Sequence, residues 1–198
     1  DSSPDKVDFT RIAETRMRAL RHAYAALTEE QELEVEAFRR ENADWVENYA
    51  LFMSLREEMY NNKPVWEWPD EDVKARKPAA LAEVKQELAD EVNFRVFVQY
   101  LFFKQWTALR AYANEKGVQI IGDIPIYVSP DSVDVWVNPQ LFKLDKTLLA
   151  KKIAGVPPDY YSETGQLWGN PVYDWKVHEK DGYQWWIWRM KRVAALFD

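Results

Sequence analysis

The chain has no cysteine, and it has no glycine before Gly117. Without cysteine there is no disulfide framework and no thiolate metal site. Histidine is nearly as scarce. His22 and His178 are the only two and lie far apart in sequence, which argues against a zinc centre; nothing implies another cofactor. No apolar run approaches the ~20 residues of a membrane span. There is no signal-like start, so the expected compartment is the cytoplasm, with no membrane partner. Positive charge is in deficit, the formal balance being −7 and the isoelectric point about 5.1. The phosphates of a nucleic acid would be repelled. The first residue is Asp1 rather than Met, which reads as a start inside a longer protein or after processing.

Against these absences stands a chain of 198 residues, 47% hydrophobic and 15% aromatic. That suffices for a core the size of one domain or one and a half. All six glycines lie at or after Gly117. Glycine weakens a helix by ~1 kcal/mol relative to alanine. The first 116 residues are therefore expected to be helical, and the turns and strands to lie in the second part.

Asp8 can cap a helix reaching about Leu27, since Phe9, Ile12, Met17, Leu20, Tyr24 and Leu27 recur at three- and four-residue steps. Thr28 and Gln31 have capping-box spacing and open a second helix, ending near Asn42. A third carries Trp45, Val46, Tyr49, Phe52 and Met53 and stops before Asn62-Lys63-Pro64. His22, among arginines, reads as a solvated surface residue. In the connector Pro64 to Pro78, Trp66 and Trp68 read as anchors onto the helical layer rather than as a sugar platform. Helical pattern resumes at Pro78 and runs to Lys116, long enough to predict a break near Asp90 to Asn93. Its later part is apolar nearly all round, which predicts burial on several sides. Asn114-Glu115-Lys116-Gly117 is a helix exit.

Val118 to Val128 is β-branched and apolar on both faces, the pattern of a buried parallel strand. Asp123 falls at its carboxyl end. On the residues alone, a structural acid and a functional one are equally good readings of it. Ser129-Pro130-Asp131-Ser132 reads as a capped short helix, with Val133 to Trp136 a short apolar piece after it; Trp136 reads as core; Thr147-Leu148-Leu149-Ala150 predicts a helical turn. A last helix is expected from Tyr183 to Phe197, with Trp185, Trp188 and Arg189 on it as packing residues rather than a membrane-facing stripe.

The run from Gly155 to Pro171 reads GVPPDYYSETGQLWGNP. Its glycines and prolines exclude a long helix and a central strand. Yet it puts two tyrosines and a tryptophan beside carboxylates and amides. Aromatic faces cover the apolar face of a pyranose while polar groups pair with its hydroxyls. A proline-stiffened loop whose aromatics plug a core fits the composition equally well.

This run resembles the lid loop of the amylomaltase family, the 4-α-glucanotransferases of the amylase-like retaining glycosidases. Ile120-Ile121-Gly122-Asp123-Ile124-Pro125-Ile126-Tyr127-Val128 resembles that family's third barrel strand. Phe102-Phe103-Lys104-Gln105-Trp106 and Asn170-Pro171-Val172-Tyr173-Asp174-Trp175 fit as well. The likeness is strong from about Phe94 onward; before that it is one of helical character. It implies a mainly α chain with a small parallel β part, a fragment of a (β/α)8 TIM barrel plus its helical insertion. Residues 1–77 would be the insertion subdomain and 78–198 a partial barrel segment with the lid at 155–171.

The resemblance further implies transfer of α-1,4-glucan chains between maltooligosaccharides. Asp123 would be a supporting active-site residue on the donor side of the cleft. Tyr160 would lie over the glucan with Tyr161 beside it, and Asp159, Ser162, Glu163, Trp168 and Asn170 would shape the loop and nearby sugar subsites. The family's nucleophile sits in an Arg-x-Asp-His motif that this sequence lacks. The acid/base glutamate comes later still in the family. An isolated chain of this sequence is therefore expected to be inactive and open to self-association. A non-catalytic glucan-binding module and a purely structural helical domain are the alternatives.

Overall fold

The computed structural model describes residues 6–198. Its first part is a helical layer. α1 (Phe9–Ala25) starts where Asp8 accepts the Arg11 N–H, and α2 (Glu29–Glu41) starts on the Thr28–Gln31 capping box. α3 (Val46–Ser54) widens into a π turn at Leu55–Met59. The chain then reverses through Asn61 and Asn62, both with positive φ, a conformation asparagine tolerates. A 3-10 turn (Val65–Glu67) and the short α4 (Glu71–Lys74) form the connector. α5 (Pro78–Glu87) and α6 (Ala89–Glu115) follow. The break between them falls at Leu88, just before the expected 90–93. α6 ends in paired reverse bonds, Val118 N–H to Ala113 O and Gly117 N–H to Asn114 O, with Gly117 at φ +73°.

The main core gathers α3, the connector and the first half of α6. Val46, Leu55, Val65, Val73, Phe94 and Val96 are fully buried there. Trp68 donates its indole N–H to Lys63 O and packs against Phe52, Tyr60 and Trp136. Trp136 is itself buried under the Arg76 guanidinium. Both tryptophans are thus packing residues. The expectation that the later part of α6 is enclosed on several sides holds only as far as Tyr100. Phe102, Leu109 and Tyr112 are more than half exposed, because no element among the described residues covers them.

Val118 to Val128 forms neither helix nor strand and bends at Ile126 and Tyr127; this corrects the parallel strand read from the sequence. A parallel ladder needs a neighbour on the hydrogen-bonding edge, and the described residues provide none beyond Asp198. Asp198 donates its N–H to Ile120 O, and its carboxylate accepts the Ile120 N–H at 2.8 Å. That backbone donor, with Asn114 and Arg110, holds the Asp198 carboxyl down at about 2. Phe197 packs directly against Gly122, where a Cβ would fall 2.1 Å from its ring.

The sheet seen among the described residues is an antiparallel pair, β1 (Ile153–Val156) and β2 (Gln166–Pro171). The mainly α class holds; the small β part is antiparallel and lies in the lid run. The entry to it is not the helical turn expected. Asp145 accepts the N–H groups of Thr147 and Leu149, and Leu148 takes φ +70°, so an aspartate side chain captures the donors a helix would use.

α7 (Val133–Val137), capped by Ser132, α8 (Trp175–Lys180) and α9 (Gln184–Leu196) complete the chain. They enclose a second core of Val128, Val135, Leu141, Phe142, Tyr173 and Trp185. No helix among the described residues is long and apolar enough to cross a membrane.

Candidate functional site

The lid run is a β-hairpin. β1 and β2 pair Gly155 with Leu167 and Val156 with Gln166. Gly155 is required by the pairing itself, since a Cβ there would lie 2.5 Å from Gln166 O. Residues 157–165 form the tip. Asp159 organises it, its carboxylate accepting the N–H groups of Tyr161 and Ser162 at 2.9 Å each. The Ser162 hydroxyl donates to Gly165 O at 2.7 Å, and Gly165 turns the chain at φ +76°. These bonds fold the tip without burying its aromatics. Tyr160 is 96% exposed and Tyr161 87% exposed. Their rings meet edge to face at 5.5 Å. The reading in which the tip aromatics plug a core therefore does not describe these two residues.

The base of the hairpin is fixed to the segment that follows Asp123. The Asn170 side-chain amide donates to Val128 O at 2.8 Å. The Tyr173 hydroxyl donates to Ile126 O at 2.6 Å. Tyr127 stacks on Tyr173 and meets Trp168 edge to face at 6.0 Å. Burial pushes the Tyr173 hydroxyl up, so it remains a neutral donor across the ordinary pH range. Trp168 is 46% exposed and its indole N–H donates to Gln166 Oε1.

Asp123 is exposed, and one of its carboxylate oxygens accepts the Ile124 N–H at 2.7 Å. The other is free to accept from a ligand. Glu163 is exposed at the tip. The structure thus brings Asn170, Trp168 and the Asp123 segment onto one rigid base, while Tyr160, Tyr161 and Glu163 stand out from it. Tyr127 and Tyr173 escaped the sequence reading. Their signal was the aromatic alternation around Asp123 and after Asn170, which only a hairpin docked there turns into contacts.

A family model described as 4-alpha-glucanotransferase matches residues 1–198. The chain is 43% identical over 198 residues to a 4-alpha-glucanotransferase of Streptococcus pneumoniae, covering 100% of this chain and 39% of that protein. It is 51% identical over 164 residues to a 4-alpha-glucanotransferase of Aquifex aeolicus, covering 83% of this chain and 33% of that protein. Among solved structures, the amylomaltase from Streptococcus agalactiae in complex with acarbose matches at TM-score 0.94 and 41% identity, over 100% of this chain and 40% of that one. The amylomaltase from Corynebacterium glutamicum, at 20% identity and TM-score 0.59, shares the fold over 85% of this chain. The chain spans well under half the length of each of these relatives.

Proposed function

The chain belongs to the 4-alpha-glucanotransferase family, and on that premise we propose that it is the segment of a retaining 4-α-glucanotransferase that carries the lid and one acidic wall of the glucan cleft. The observation that carries this reading is the docked hairpin: two adjacent exposed tyrosines held on a base that is hydrogen-bonded to the segment following Asp123. Asp123 lines the donor side and accepts from sugar hydroxyls. Tyr160 covers a bound α-1,4-glucan with Tyr161 beside it. Asp159 and Ser162 shape the tip, and Glu163, Trp168 and Asn170 border the neighbouring subsites. The acarbose in the Streptococcus agalactiae amylomaltase complex fits an α-glucan as the ligand class for this chain too.

Retaining transfer needs one carboxylate to attack the anomeric carbon and a second to protonate the leaving oxygen and then activate the acceptor. Neither role is assigned to a residue of this chain. Its part is to orient the glucan and to exclude water from the glycosyl-enzyme until an acceptor sugar arrives. The proposal includes residues 78–198 as part of a (β/α)8 barrel, residues 1–77 as its helical insertion, and a cytoplasmic setting. The test is to incubate the 198-residue chain, and a chain of the relatives' full length that contains it, with maltotriose. The full-length chain should give longer and shorter maltooligosaccharides and the 198-residue chain none. Disproportionation by the 198-residue chain after repurification would overturn the division of labour.

A further inference from the structure

A cavity of about 630 Å³ opens between α3, α7 and α9, behind Ile124 and Pro125. None of the lid residues and not Asp123 lines it. Its size lies within the ~300–1,000 Å³ of small-molecule clefts. Three indoles, those of Trp45, Trp185 and Trp188, supply aromatic wall. Trp188 donates to Asp44 at 2.6 Å, which joins α9 to the residues just before α3.

The polar groups in this wall are not used up by the fold. Trp185 is 8% exposed, and its indole N–H is near enough to Asp134 to lower that carboxyl without closing a hydrogen bond of good geometry. Arg189 gives Nη2 to Pro125 O at 2.7 Å and lies over the rings of Trp185 and Trp186, while its Nη1 has no partner. A buried donor without an acceptor costs ~1–3 kcal/mol. Asp134 faces the same space. Burial pushes its carboxyl up, and Arg189 and the Trp185 indole offset this only in part. The cavity therefore holds unsatisfied donors and an acceptor side by side over aromatic faces.

That mixture selects a ligand chemistry. An anion would meet three carboxylates, Asp44, Asp134 and Asp181, against two guanidinium groups, Arg189 and Arg192. A cation would meet the two unpaired N–H donors. A neutral polyhydroxylated ring satisfies both kinds of group, because each hydroxyl donates and accepts, and its C–H face lies on indole. We propose that the α3–α7–α9 cavity is a binding site for a short neutral saccharide, with Asp134 as acceptor, Trp185 and Arg189 as donors, and Trp188 as the stacking platform.

The probe is maltose. It is titrated into the 198-residue chain and into a chain of the relatives' full length containing it, with the indole N–H signals of Trp185 and Trp188 followed by NMR. Both signals should shift saturably. Asp134→Asn keeps the shape and should weaken binding about tenfold or more, since a charge-assisted hydrogen bond is lost. Tyr160→Ala should leave the shifts of Trp185 and Trp188 unchanged. If Asp134→Asn does not fold, Trp188→Phe carries the test, with a loss of affinity expected. Shifts confined to Trp168 and abolished by Tyr160→Ala would overturn this site while leaving the lid reading intact. So would an Asp134→Asn variant that binds maltose as tightly as the parent, or equal shifts on adding inorganic phosphate in place of sugar.

Discussion

Tyr160, the proposed cover of the glucan, can contribute little to stability. It is 96% exposed and touches chiefly its neighbour Tyr161. In a chain of the relatives' full length, Tyr160→Ala should leave the melting temperature within about 1 °C, since surface changes usually stay within ~0.5 kcal/mol. It should raise the ratio of free glucose to transferred product, because water gains access to the glycosyl-enzyme. A large drop in melting temperature at an unchanged ratio would return Tyr160 to packing. Asp123→Asn makes a paired case. The exposed carboxylate spends one oxygen on Ile124 N–H, which an amide oxygen replaces, so folding should survive. The lost charged bond to sugar should lower kcat/KM about ten- to a hundredfold. Loss of soluble protein instead would make Asp123 structural. His178 is a residue the sequence could not interpret. It is wholly buried, bonded through Nε2 to Leu141 O and faced by Tyr173, Trp175 and Trp185. Scarcity in the sequence said nothing of a packing role, because the aromatic enclosure comes from residues brought together only by folding.

Between helices, the decisive contacts are ionic and partly buried. Glu47 on α3 is bonded by Arg39 of α2 and Lys85 of α5. The Arg39 bond, and after it Lys85, outweighs burial and holds the Glu47 carboxyl at about 2, below its ordinary 4.5. The folded value lies below the unfolded one, so this contribution is complete above about pH 4.5 and is lost as pH falls toward 2. Glu47→Gln should therefore flatten the acid limb of a stability-versus-pH curve in that window and lower stability at neutral pH. An unchanged acid limb would show that the tie carries no linkage. Arg95 on α6 is more enclosed still, binding Glu57 of the π turn at 2.7 Å and Glu91 at 2.8 Å, and Glu91 also meets Arg21 of α1. Arg95→Met should cost about 1–3 kcal/mol in denaturant unfolding, because partly exposed Glu57 loses its partner while Glu91 keeps Arg21. A cost under about 1 kcal/mol would mean water already reaches them. The helices themselves were legible because caps are local: Asp8, Thr28 with Gln31, Pro78 and Gly117 each act within four residues. The ion pairs were not, since Arg95 and Glu57 lie 38 residues apart.

At the scale of the whole chain, the same distinction explains why Val118 to Val128 misled the sequence reading. A β-branched run favours an extended backbone with apolar faces. It does not specify a partner strand, and here the backbone is bonded by Asp198 at Ile120 and by side chains at Pro125, Ile126 and Val128. The lid hairpin, by contrast, carries its own partner strand within ~20 residues, and a two-stranded hairpin is compatible with glycines and prolines that exclude a long helix and a central strand. Apolar side chains are left in the open on α6 (Phe102, Leu109 and Tyr112) and on the segment after it (Val118, Ile121 and Ile126), Ile121 being 90% exposed. Soluble monomers rarely leave large apolar patches in the open, and backbone with free N–H and C=O groups invites pairing with another chain. The isolated 198-residue chain should accordingly self-associate, its weight-average mass in sedimentation equilibrium rising with concentration. Ile121→Lys should shift that equilibrium toward monomer without lowering the melting temperature, because Ile121 buries almost nothing in the monomer and a lysine on an exposed edge opposes strand addition. The relatives are more than twice as long as this chain, so a full-length chain containing it should bind less of a dye that reports exposed apolar surface, per mole, than the 198-residue chain. A monomeric 198-residue chain at all concentrations, with no excess dye binding, would show that α6 and the segment after it are solvated surfaces in their own right.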